Sequence, residues 1–163
     1  AIAALVASGL PTDRFVFEGF PPPKTGARRR RLQALAEETR TLVFFESPHR
    51  VVESLADMVA CFGAEREAVF ARELTKTFET ARRAPLGVLA PWVEGDPNQR
   101  KGEIVLLVHG APERPAAIDP ESERVLKVLA AELPLKQAAG LAAKLTGLKK
   151  NALYDFALHH LKD

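Results

Sequence analysis

Within five residues, Glu46-Ser47-Pro48-His49-Arg50 collects a carboxylate, a hydroxyl, an imidazole and a guanidinium. These are the groups that proton transfer and anion binding use. They follow the apolar run 41–45 and precede Val51, Val52, Leu55, Met58, Val59 and Phe62 at helical spacing. The first pattern predicts a buried strand and the second an amphipathic helix over 48–62. Ser47 then falls at the N-cap and Pro48 at the first helical position, where its missing N–H costs nothing. The cluster therefore sits at the carboxyl end of a strand, the place where open α/β sheets bind ligands.

Arg72, Glu73, Thr75 and Lys76 end a later strand, and Lys101 and Glu103 flank Gly102 where the last strand starts. Were the two strands parallel neighbours, loops 46–50 and 72–76 would lie side by side. The backbone donors opening the 48–62 helix would suit a carboxylate or phosphate. The same residues could instead do no more than cap strands and pair charges, and spacing alone leaves both readings open.

Arg28-Arg29-Arg30-Arg31 opens a helix whose far end carries Glu37 and Glu38. That order opposes the helix dipole by about 0.3–1 kcal/mol per charge. Such a broken local rule is expected at functional sites, and an RNA or DNA backbone would explain it. Successive helical residues point about 100° apart, however, so the four cannot share one face; a solvated basic turn is the alternative. From 134 to 163, Lys136, Lys144, Lys149, Lys150 and Lys162 outnumber Asp155 and Asp163, a net of +3 before His159 and His160. A basic helix pair joined at Gly147 suggests nucleic acid, although such pairs also serve as packing caps.

The elements that would position these groups alternate. Strands are expected at 14–20, 41–46, 68–73, 77–84 and 103–109, with helices near 24–38, 48–62 and from 85. This is a layered α/β pattern. A proline-rich linker over 112–120 leads to three helices opening at Asp119-Pro120, at Pro134 and after Asn151. The expected divisions are 1–12, a remnant helix; 13–111, an α/β lobe; 112–120, the linker; and 121–163, a helical extension. The uncapped, apolar opening at Ala1 suggests a carboxy-terminal piece of something longer.

At 163 residues, 47% apolar and 27% charged, the composition is that of a globular protein. A net charge of +2 does not demand a polyanion, so distribution matters more than total. Lone Cys61 excludes a disulfide framework and suggests a reducing cytoplasm. His49, His109, His159 and His160 lack metal spacing with Cys61. There is no membrane-length apolar run, basic leader, Walker loop, dinucleotide fingerprint or Gly-x-Ser-x-Gly elbow.

Segments 8–20 (SGLPTDRFVFEGF), 41–50 (TLVFFESPHR), 71–76 (ARELTK) and 101–103 (KGE) together resemble one family. It is the ribosomal small-subunit RNA 2′-O-methyltransferase I group of the tetrapyrrole methylase superfamily. Segments 133–139 (LPLKQAA) and 146–154 (TGLKKNALY) resemble its helical carboxy-terminal extension. The resemblance implies a two-lobed methylase with S-adenosylmethionine between the lobes, a homodimer, and a cytidine ribose of small-subunit rRNA as target. The family's amino-terminal lobe, with its Gly-Asp-Pro-Gly loop, has no counterpart here, which implies an incomplete donor site and a chain inactive alone. Carried over, Glu46, Ser47, Pro48, Arg72, Glu73, Leu74, Lys101, Gly102 and Glu103 would line the cofactor cleft. Glu46, His49 or Glu73 would accept the proton, and Arg72 or Lys76 would steady the oxyanion or a phosphate. Lys24, Arg28, Arg29, Arg30, Arg31, Lys136, Lys144, Lys149 and Lys150 would grip rRNA. The alternatives are a non-catalytic RNA-binding module on the same fold, or a methylase of a small tetrapyrrole. A tetrapyrrole would need neither the arginine cluster nor the helical extension.

Overall fold

The computed structural model describes residues 1–112 and 117–161. Its contacts divide the chain into two units, the first being Ala1–Pro112.

In the first unit the elements are α1 (Ile2–Ser8), β1 (Phe15–Gly19), α2 (Thr25–Ala34), β2 (Thr41–Glu46), α3 (Val51–Phe62), β3 (Glu67–Arg72), β4 (Thr80–Pro85), α4 (Leu86–Gly95) and β5 (Ile104–Val108). The five strands form one mixed sheet in the order β1-β2-β5-β3-β4. β1 runs parallel to β2, and every other pairing is antiparallel. Side chains alternate between faces along each strand. Leu42, Phe44, Ala68, Phe70, Leu106 and Val108 meet Leu32, Val51, Leu55, Met58, Leu86, Leu89 and Val93 of α2, α3 and α4. On the other face Val43, Val69, Ala71 and Leu107 meet Ala4, Leu5 and Leu10. Strands β2, β3 and β5 are thus covered on both sides, which is why they read as unbroken apolar runs. The short α1 packs against β3, β4 and β5, and at the β1 end of the same sheet Phe15 and Phe17 stay exposed.

Two expectations need correcting. Strands β2 and β3 point the same way but are not neighbours, because β5 lies antiparallel between them. The α3 helix starts at Val51 with Arg50 at its N-cap, not at Pro48. The Ser47 carbonyl accepts from both the Arg50 and Val51 N–H groups, each at 3.1 Å. Residues 47–50 therefore close a tight turn before the helix ladder begins. Smaller differences follow from the same kind of local bonding: α2 stops at Ala34, where three-residue turns take over, and β4 begins only at Thr80.

The second unit contains α5 (Pro120–Glu132), α6 (Leu135–Thr146) and α7 (Lys150–His160). The Asp119 side chain accepts the Ser122 N–H to cap α5, and Gly147 ends α6 in the left-handed conformation at φ 76°. Leu126, Ala139, Ala142, Leu153 and Ala157 form its core. Lys162 and Asp163, counted in the basic tally above, and part of the expected linker lie outside the described residues.

Candidate functional site

Cross-strand register places Glu46 opposite Ile104, and Ile104 opposite Arg72. The end of β2, the start of β5 and the end of β3 therefore finish level, and three segments far apart in sequence meet at one edge of the sheet. They surround a cavity of about 600 Å³, a volume typical of small-molecule and cofactor sites. Glu46, Ser47 and Pro48 contribute from β2, Leu74 and Thr75 from beyond β3, and Gly102, Glu103, Ile104 and Val105 from β5. Ala1, Ala3, Phe20 and Phe45 complete the wall. Phe45 packs edge-on against Phe17 at 5.0 Å between ring centroids and lies 5.7 Å from Phe20. One flank is accordingly apolar and aromatic while the rim is charged.

Glu46 is the anchor of its turn. Its fully buried carboxylate accepts the Ser47 N–H at 2.7 Å and the Ser54 hydroxyl, and pairs with Arg50 at 3.2 Å. Arg50 reaches on to the Ser47 hydroxyl and the Pro21 carbonyl. With both oxygens committed, Glu46 is poorly placed to accept a proton from a ligand. His49 is exposed and not part of the cavity wall.

The facing loop is built around Glu73. Its N–H donates to the Glu103 carbonyl at 2.9 Å, and its Oε1 accepts the Glu103 N–H at 2.8 Å and Lys76 at 3.2 Å. Lys76 also meets the Glu103 carboxylate at 3.1 Å. Both Glu73 and Thr75 hold positive φ, 50° and 66°, in a region non-glycine residues seldom occupy. The Glu73 side chain lies directly over Gly102, itself at φ 75°, where a Cβ would come within 2.2 Å of Oε1. A larger residue there would have to hold a disfavoured φ and push the Glu73 side chain aside. The Glu103 N–H, then Lys76, hold the Glu73 carboxyl below its usual range, and Glu103 and Glu73 raise Lys76. Both groups therefore stay charged at neutral pH.

Other expected site residues lie elsewhere. Arg72 is not among the residues lining the cavity and donates to Thr80 at 3.2 Å. Its Nε is buried without a partner, as is Gln99 Oε1. Lys101 bonds Asn98 at 3.2 Å and is outside the wall. The arginine cluster is largely spent internally. Arg28, only 1% exposed, donates through Nε to Asp57 at 2.6 Å, with further bonds to Pro23, Thr25 and Glu53. Arg29 takes the other Asp57 oxygen at 2.6 Å, and Arg31 grips Glu18 through two bonds of 2.8 Å. Arg28 as an RNA contact is thus overturned by burial. Of the five cations expected there, Lys24 and Arg30 remain exposed without an ion-pair partner among the described residues. Lys136, Lys144, Lys149 and Lys150 are exposed on the second unit.

Ala1, Ala3, Phe20, Phe45, Ile104 and Val105 of the cavity lining escaped the sequence reading as site residues. Thr75, grouped there with Arg72, Glu73 and Lys76, does line the cavity, whereas the aromatic residues read as ordinary strand positions. Among the described residues no group of three His, Cys, Asp or Glu could hold a metal, and no helix is long and apolar enough to cross a membrane.

The profile described as Tetrapyrrole (Corrin/Porphyrin) Methylases matches residues 1–90. The chain belongs to the tetrapyrrole methylase family. The profile described as RsmI C-terminal HTH domain matches residues 116–162. Proteins named Ribosomal RNA small subunit methyltransferase I are similar along nearly the whole chain. That of Pseudomonas aeruginosa is 61% identical over 96% of this chain and 56% of its own length. That of Escherichia coli O157:H7 is 54% identical over 97% and 55%. The chain thus spans little more than half the length of these relatives. Among tetrapyrrole methylases it groups with the small-subunit methyltransferase I proteins. Solved structures share the fold: the methyltransferase CobJ has a TM-score of 0.50 at 21% identity, covering 69% of this chain and 48% of its own. The cobalt precorrin-4 methyltransferase CbiF scores 0.51 at 15% identity, covering 66% and 47%.

Proposed function

We propose that this chain supplies one wall of a methyl-transfer site. The complete site would transfer the methyl of S-adenosylmethionine to the ribose 2′-hydroxyl of a cytidine in small-subunit rRNA. Segments corresponding to the upstream part of the relatives would form the opposite wall, and the assembled enzyme would be a homodimer in the cytoplasm. The observation that carries this reading is the meeting of the β2, β3 and β5 ends around one cavity with an aromatic flank and a charged rim. Its volume and mixed lining fit an adenosyl group with a charged tail. Glu46, Ser47 and Pro48 would hold one side of that group, and Leu74, Thr75, Gly102 and Glu103 the other. S-adenosylmethionine, when bound, supplies an electrophilic methyl on a sulfonium.

The residues' own work is positioning and local charge. The Glu73 clasp ties loop 73–76 to the start of β5 at the cavity rim. Glu103 lines the cavity with a carboxylate 82% exposed and, among the described residues, shared only with Lys76. Of the carboxylates at this edge it is the one free to accept a hydrogen bond from an incoming hydroxyl. Lys76, kept protonated, would stand ready for a neighbouring phosphate.

The test compares this chain with a version extended upstream to the relatives' length. Calorimetric titration should show S-adenosylmethionine binding that is tight for the extended protein and weak for the 163-residue chain. The extended protein should transfer radiolabelled methyl to small ribosomal subunits, with the label on a ribose oxygen. Label found on a base, or none with cofactor bound, would overturn the reaction assignment.

A further inference from the structure

We infer that Lys136, Lys144 and Lys150 act as one phosphate-gripping cluster centred on Gly140, taking the sugar-phosphate backbone of RNA irrespective of sequence. The inference rests on the RNA reading above and deepens it. Lys136, Gly140 and Lys144 recur at i, i+4 and i+8 along α6, which puts them on one side of the helix with the two lysines about 12 Å apart along its axis. Gly140 leaves a gap midway. Lys150, from the first turn of α7, lays its side chain across that gap: a Cβ built on Gly140 would stand 3.7 Å from Lys150 Cε and 3.8 Å from Nζ. An ammonium from a second helix is thereby inserted into the row made by the first.

All three lysines are exposed, and none has a carboxylate partner among the described residues. The same unit does contain ion pairs, but they are elsewhere: Arg124 with Glu121 and Lys127 with Glu123, each at 2.6 Å on α5. Three exposed ammonium groups on one face with no carboxylate between them raise the local positive potential. A polyanion, whose charges repeat along a line, matches a row of ammonium groups better than a single carboxylate does. Lysine is a compact point charge without the planar fork that reads base edges. The cluster should therefore contribute affinity and salt dependence, and no sequence preference.

Gly140 provides a direct test. A Cβ at this position meets Lys150 only at ordinary contact distance, so Gly140→Ala should fold normally and keep RNA affinity. Gly140→Glu places a carboxylate in the middle of the three ammonium groups and should neutralise them from within.

The experiment follows fluorescence anisotropy of the 163-residue chain with a labelled short oligouridine and a mixed-sequence RNA, between about 50 and 200 mM KCl. Each of Lys136→Gln, Lys144→Gln and Lys150→Gln should lower the slope of log affinity against log salt by about 0.7, and the triple variant by about 2. Gly140→Glu should lose at least as much slope as a single lysine variant, with an unchanged or higher melting temperature. Both RNAs should respond alike. RNA affinity whose salt slope survives the triple variant would overturn the cluster while leaving the RNA reading intact. Absence of salt-sensitive RNA affinity in the unsubstituted chain would overturn both. Salt-sensitive binding lost in the triple variant, alongside an extended protein that fails to transfer methyl, would sustain the cluster and remove only the catalytic assignment.

Discussion

Replacing Asp57 by Asn should be among the most damaging single changes in the first unit, although it touches neither the cavity nor the sheet. The Asp57 side chain is 4% exposed and divides its two oxygens between Arg28 and Arg29, each at 2.6 Å. Arg28 is 1% exposed, so without Asp57 its charge is left facing only neutral partners and the distant edge of Glu53 at 3.4 Å. Stranding one member of a buried pair costs about 3–5 kcal/mol. Arg29, 53% exposed, remains hydrated and adds under about 1 kcal/mol. At about 4 °C per kcal/mol for a unit this size, the melting temperature should fall by about 12–20 °C. Arg28→Met should cost less, because Asp57 keeps its bond to Arg29 at 2.6 Å. The double variant Arg28→Met with Asp57→Leu should recover most of the loss, since apolar groups of similar volume replace such pairs at little net cost. Circular-dichroism melts of the four proteins close this double-mutant cycle. A melting temperature for Asp57→Asn within 3 °C of the parent, or a double variant no better than the singles, would refute the assignment of Arg28 to the core. So would loss of RNA affinity in Arg28→Gln with its melting temperature unchanged.

The same carboxylate sets a pH dependence. Burial raises the Asp57 pKa, but hydrogen bonds from Arg29 and Arg28 outweigh it and the net shift is downward. A depressed folded-state value means that the ionised group stabilises the fold above about pH 4 and that this contribution fades as pH falls toward the folded pKa. The stability gap between parent and Asp57→Asn should thus be constant near neutrality and shrink in acid, as measured by urea titration at several pH values. Gly102→Ala should cost about 1–3 kcal/mol through its positive φ, and more through displacement of Glu73. In the upstream-extended protein it should weaken S-adenosylmethionine binding more than its melt predicts. Leu107→Ala empties a fully buried position in β5 facing α1 and should cost about 2–5 kcal/mol in denaturant unfolding. Arg30→Gln should leave the melt within about 0.5 kcal/mol of the parent while reducing RNA affinity in the anisotropy assay.

Much of the fold was legible because each element announced itself locally. The apolar run 41–45, the 3.6-residue spacing from Val51 to Phe62, Pro120 after Asp119 and Gly147 after Thr146 each fix a boundary through chemistry within a few residues. What escaped was long-range. Nothing near residue 104 says that the last strand enters between two earlier ones, and so the 46–50 and 72–76 loops were expected side by side rather than astride β5. The arginine row looked like an open basic face because Asp57, which absorbs two of its charges, lies 28 and 29 residues further on. At the cavity, Glu73, Leu74, Gly102 and Glu103 were identifiable by type, yet the clasp that joins them depends on backbone angles at Glu73 and Thr75 that residue identity does not advertise.

The insertion of β5 also bears on how the chain is made. Synthesis releases β2 and β3 first, each with a bare edge of unpaired amides and carbonyls, and the strand that covers both is the last to appear. Until Val108 emerges the nascent unit is a pair of open edges prone to mispairing with other chains. Truncations ending before Ile104 should aggregate, whereas a stop after Pro112 should yield the complete five-stranded sheet.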